Sequence, residues 1–156
     1  MGLRMLLMKN SPPTFGQLKE CDSNDYELLR IRSGVPDGVQ DMQFQKTILL
    51  EAGFDELNGI NWEKGCYMGQ ELTARTKYRG LIKRRLIPVS VDGPLPEPGT
   101  FIMFGEKEAG EIRSGVGNSA MALMRLNILQ EWFRLGGELT AGSSCVMPQK
   151  QSWMNF

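Results

Sequence analysis

The sequence predicts an α+β chain, with helices and turns over residues 1–85 and a small antiparallel β-barrel over residues 86–156. Two observations carry this. The run Gln70 to Arg79, QELTARTKYR, consists of good helix formers and is closed by Gly80. From Leu86 onward, short β-branched and apolar runs alternate with Gly, Pro and Asn punctuation, the pattern of strands joined by tight turns. With 156 residues and 41% hydrophobic content, the chain has enough apolar material for a packed core.

Met1 to Met8 is an apolar run too short to span a bilayer and without a signal-peptide cleavage pattern, so a buried strand is expected there. Lys9 to Lys19, with Ser11-Pro12-Pro13, reads as a loop. Asp22 is an N-cap for a helix over Ser23 to Ser33, with Tyr26, Leu29 and Ile31 as its apolar side and Gly34, Pro36 and Gly38 ending it. In the second half, strands are expected at Leu86 to Val91, Thr100 to Phe104, Glu108 to Val116 and Ala120 to Arg125. A short helix over Ile128 to Leu135 closes at Gly136-Gly137, and Leu139-Thr140 with Ser144 to Met147 supply the last strand material.

Composition excludes several function classes. The 18 basic and 18 acidic residues balance, so no global field draws the chain to nucleic acid or membrane. Cys21, Cys66 and Cys145 are odd in number and lack CxxC spacing, which points to reduced thiols rather than a disulfide framework. There is no His, which removes the commonest metal ligand and the commonest general base together.

The chemistry concentrates between Trp62 and Arg85. Gly65 and Gly69 flank Cys66-Tyr67-Met68 just ahead of the expected helix, where free backbone N–H groups and the helix dipole favour a thiolate or a bound anion. A small buried cysteine in a structural turn is the alternative. The basic residues Arg75, Lys77, Arg79, Lys83, Arg84 and Arg85 follow with no acid among them. They read either as a solvated helix end or as an anion site. Only Tyr67 and Tyr78 lie near enough to serve as stacking platforms for single-stranded nucleic acid.

Lys64-Gly65-Cys66-Tyr67-Met68-Gly69-Gln70-Glu71 resembles the K-G-C-Y-x-G-Q-E signature of the YgfZ family, folate-binding proteins related to the glycine-cleavage T-protein and linked to iron–sulfur cluster maintenance. The resemblance continues through Ala74-Arg75, Lys77, Arg79-Gly80 and Lys83-Arg84. It extends upstream to Leu29–Pro36 and to Asp55–Ile60, and downstream to the A-G-E-I-x-S-x-V pattern beginning at Ala109. At Thr47-Ile48 the sequence departs from the family, which usually has Leu-Pro there.

The resemblance implies that residues 1–85 are the C-terminal part of a T-protein-like folate-binding domain, and that residues 86–156 are its barrel. Family members commonly carry an upstream half that supplies much of the folate domain, so the chain is expected to be a fragment, a short homologue or one completed by an upstream partner chain, and by itself to self-associate or be marginally stable.

The resemblance also implies tetrahydrofolate or a derivative as cofactor. Arg30, Lys64, Tyr67, Arg75, Lys77 and Arg79 would lie toward it, with Cys66 as a reactive or cluster-proximal thiol. Gly65, Gly69, Gln70 and Glu71 would shape the loop. The implied role is a non-catalytic accessory factor for iron–sulfur cluster assembly or repair, with the assembly machinery or its clients as partners, and with a connection to tRNA modification. A one-carbon or aminomethyl transferase of the T-protein type and a tRNA-binding module are the alternatives. One cysteine cannot supply four-thiolate ligation, so no stably bound metal is expected. The expected location is a bacterial cytoplasm, or a mitochondrial matrix in a eukaryote.

Overall fold

Strand β1, Arg84–Asp92, is the hinge of the architecture. Its centre, Leu86 to Val89, is buried without the usual in-and-out alternation because both faces are covered. One face, carrying Ile87, Val89 and Val91, points into a barrel; Leu86 lies on the other face, under the N-terminal helix. A computed structural model describes residues 8, 16, 19–80 and 82–156.

The barrel is built from β1, β2 (Phe101–Phe104), β3 (Lys107–Val116), β4 (Ser119–Arg125), β5 (Leu139–Ala141) and β6 (Ser144–Pro148). It closes in the order β1-β4-β3-β2-β5-β6, and every neighbouring pair is antiparallel. Closure removes the sheet edges that an open meander would leave unpaired. Register shifts between Ile102 and Met103 and between Ile112 and Gly115 supply local bends of the kind a small barrel uses to close. Ile87, Ile102, Ile112, Met124 and Leu139 fill the interior.

Helix α3, Leu126–Leu135, packs its buried Ile128 and Leu129 against the same core and stops at Gly136, whose φ is 69°. Gly110 sits where a Cβ would lie 2.6 Å from the carbonyl oxygen of Leu123, so strand proximity itself demands glycine there. These strands and this helix agree with the expected barrel to within a few residues.

Helix α1, Ser23–Arg32, begins in a reciprocal capping box, with Asp22 accepting from the Asp25 backbone N–H and Asp25 from that of Asp22. Of its expected apolar side, Ile31 is buried and the other two positions are corrected by the structure. Tyr26 and Leu29 are exposed, and the buried positions are Arg30 and Ile31. Ile31 joins Ala52, Leu86 and Met121 in a second core on the outer face of β1 and β4.

The chain then runs through turns over residues 35–60, and the Leu86 backbone N–H donates to Glu51 O at 2.8 Å. The tail returns to α1, where the Trp153 indole donates to Ser33 O at 3.0 Å. The strand expected over Met1 to Met8 and the loop at Ser11-Pro12-Pro13 lie outside the described residues, apart from Met8, which is exposed.

Candidate functional site

Helix α2, Gln70–Tyr78, follows the glycine-bracketed cysteine. Its N-cap is Gly69 at φ 85°, a left-handed conformation in which a side chain would be strained, and no side chain caps it. Gly65 differs, because its φ is not left-handed and a Cβ there would meet nothing within 4 Å. Cys66 is exposed between them, next to the fully exposed Met68.

The loop is held from behind. The Trp62 indole N–H donates to Asp55 Oδ1 at 2.7 Å, and Lys77 reaches back from α2 to pair with Asp55 Oδ2 at 3.0 Å. The same ammonium lies 4.1 Å from the centroid of the Trp62 ring, a cation–π contact that ties helix, loop and turn at one point. Burial raises the Asp55 pKa, but hydrogen bonds from Lys77 and Trp62 outweigh it and hold the carboxyl below its ordinary value. Asn61 Oδ1 accepts from the backbone N–H groups of Glu63 and Lys64, and Lys64 Nζ lies 4.5 Å over the Tyr67 ring.

The basic run is less uniform than its sequence. Lys77 is engaged by Asp55, Arg84 by Glu51 at 3.1 Å, and Arg85 by Glu56 at 2.6 Å. Arg85 is buried and also donates to Leu50 O. All three acids come from residues 51–56, so a run without local acids is half-neutralised by the turn segment packed against it. Arg75, Arg79 and Lys83 are exposed and make no ion pair with a described residue.

Arg30 lies apart from the loop. It is 4% exposed and donates to Glu27 at 2.7 Å, to Val35 O at 2.9 Å, to Ser114 Oγ at 3.2 Å and to Asp41. Asp41 also accepts from the Ser114 hydroxyl and from the Asp37 backbone N–H. Burial disfavours the guanidinium charge, but Glu27 and Asp41 more than offset it and raise the Arg30 pKa. This network bolts α1 and the following turn to β3, so the guanidinium has its donors filled from within the chain. Of its other buried members, Ser114 is the serine of the A-G-E-I-x-S-x-V pattern, where nothing marked it as a partner of Arg30, and Asp41 belongs to no motif.

Among the described residues, no group of three or more Cys, Asp or Glu side chains is placed to hold a metal ion. No described helix is long and apolar enough to cross a membrane. Cys145 is hydrogen-bonded to Glu138, whose carboxylate raises the thiol pKa.

Residues 83–156 match the family model of the CAF17 C-terminal beta-barrel domain. The chain is 38% identical over 131 residues to the mitochondrial iron–sulfur cluster assembly factor IBA57 of Mus musculus, a match covering 80% of this chain and 37% of that protein. The human counterpart gives 38% over 129 residues, with 80% and 36% covered. The Dictyostelium discoideum homolog gives 44% over 93 residues, with 57% and 23% covered. The chain thus spans a little over a third of the length of the two mammalian relatives. A match covering 80% of 156 residues necessarily takes in both Cys66 and the first barrel strand. The cysteine loop and the helix behind it lie inside the mammalian match and the closed six-stranded barrel lies inside the family-model match, so the chain is homologous to IBA57 over the one stretch and to the CAF17 C-terminal beta-barrel domain over the other.

Proposed function

We propose that this chain is the loop-and-barrel portion of a folate-binding accessory factor for iron–sulfur cluster assembly or repair, working in a mitochondrion as its relatives do. The observation that supports this best is the exposed Cys66 in an open glycine loop, braced by Trp62, Asp55 and Lys77 at the start of a basic helix. Tetrahydrofolate would lie against Tyr67 and Met68, with its carboxylate tail toward Arg75 and Arg79, whose charges no described acid neutralises. Lys64 and Lys77 would act from the flank, since each is already drawn to an aromatic ring. Arg30, in this reading, holds the α1–barrel seam on which the loop depends. Cys66 would be the thiol presented to the cluster or to a client of the assembly machinery.

The role is that of a binding and presenting factor rather than an enzyme. Among the described residues, Asp55, the carboxylate that braces the loop, is committed to Trp62 and Lys77 rather than free to assist an aminomethyl transfer. The test is the alkylation rate of Cys66 in a Cys21→Ser/Cys145→Ser background, with and without tetrahydrofolate. Folate seated beside Tyr67 slows the reaction saturably. A rate indifferent to folate at every concentration removes the thiol from the site.

A further inference from the structure

A cavity of about 120 Å³ lies where the turn segment meets the barrel, away from the cysteine loop. Its walls come from Asp41, Lys46, Thr47 and Glu51 on one side and from Arg84 and Arg113 on the other, with Ala52, Leu86 and Leu123 supplying apolar surface. Both acids are already engaged. Asp41 accepts from Arg30, Ser114 and the Asp37 backbone, and Glu51 accepts from Arg84 through both its oxygens.

The cations are not all satisfied. Arg113, whose side chain is 10% exposed, pairs through one terminal nitrogen with Glu111 at 3.0 Å, and its Nε is buried with no hydrogen-bond partner. Lys46 stands exposed at the rim and makes no ion pair with a described residue. Arg113 thus reaches the cavity lining with a single ion pair, and an anion held in such a low-dielectric pocket interacts with a cation more strongly than it would in water.

From this we infer that the cavity is a binding site for one small oxyanion, a carboxylate or phosphate group, with Arg113 as the buried recognising residue and Lys46 as the charge at its mouth. Three cations against two engaged acids give the lining an excess of positive charge. The volume suits a head group and is well below the roughly 300 Å³ at which pockets begin to enclose whole drug-sized ligands. Thr47 and Gln43 add polar groups to the lining that would complete the oxyanion's hydrogen bonds. This inference stands apart from the folate reading, which concerns the Cys66 loop.

The experiment is a thermal-melt titration of the chain with inorganic phosphate and, separately, with acetate, each against sodium chloride at equal ionic strength. The site predicts a saturable rise in Tm with at least one of the two anions that chloride does not reproduce. Phosphate alone would identify a phosphoryl ligand, and acetate alone a carboxylate. Lys46→Gln, a surface change, weakens the apparent affinity about threefold, and Arg113→Gln weakens it about tenfold or more. If Arg113→Gln does not fold, Lys46→Gln decides. A response matched by chloride, or none at all because the cavity simply holds water, overturns the inference. So does an affinity unchanged by Lys46→Gln.

Discussion

The Trp62 indole N–H donates to Asp55 across 2.7 Å, and this bond fixes the base of the cysteine loop to the turn that precedes it. Lys77 closes the arrangement by pairing with the carboxylate and lying over the ring at the same time. Residues from three consecutive segments meet here, so the loop's shape depends on a side-chain cluster rather than on backbone hydrogen bonds alone.

Trp62→Phe removes the indole donor but keeps an aromatic face for Lys77. The loop is expected to lose about 1 kcal/mol of local stability, read as faster amide exchange over residues 62–69 with the barrel amides unchanged. Equal acceleration in the barrel would show that the cluster is not local.

The pH dependence of this cluster follows from the lowered Asp55 pKa. A carboxyl depressed by folding contributes stability that is present above its unfolded pKa of about 3.9 and is lost as pH falls through the lower folded value. The Trp62 indole N–H resonance should therefore stay fixed through pH 5 and move only below the ordinary carboxylate range. In Asp55→Asn that transition disappears. A midpoint at or above the ordinary value would contradict the assignment.

The buried Arg30–Asp41 pair carries a larger penalty when broken. With side chains 3% and 0% exposed, Arg30→Met strands the Asp41 carboxylate and should destabilise by about 3–5 kcal/mol, while Asp41→Asn, which leaves Arg30 its Glu27 partner, should cost less. The double variant should cost less than the sum of the singles, because the Asp41 carboxylate that Arg30→Met would strand is then gone as well. Strict additivity in chemical denaturation would show that the two do not act as a pair.

The barrel was legible in the sequence because Gly and Pro mark its turns and its strands carry β-branched residues; α3 was legible through its apolar spacing and terminal glycines. The basic run was not, since the acids that engage Lys77, Arg84 and Arg85 lie at residues 51–56 and reach them only through tertiary packing. Arg30 shows the same limit. An arginine near a helix end normally faces water, and only the fold brings Asp41 and Ser114 to it, leaving Tyr26 and Leu29 outside. Gly69 and Gly65 look alike in the motif, yet only Gly69 has a backbone conformation that requires glycine.

That difference gives a test of function separate from stability. Gly69→Ala strains a left-handed cap and should cost about 1 kcal/mol. Gly65→Ala should leave Tm unchanged, because nothing lies within 4 Å of the added methyl. If a ligand approaches the loop closely at Gly65, the same change weakens tetrahydrofolate binding. Unaltered affinity would mean that Gly65 does not line the site.

The most direct test of the central claim is calorimetric titration of the chain with tetrahydrofolate, alongside Cys66→Ala and Arg75→Ala/Arg79→Ala. The account predicts saturable binding that survives Cys66→Ala and falls about tenfold or more when both arginines are lost. Absence of binding by the unaltered chain, or binding indifferent to the arginines, would contradict the placement of folate on this loop and helix.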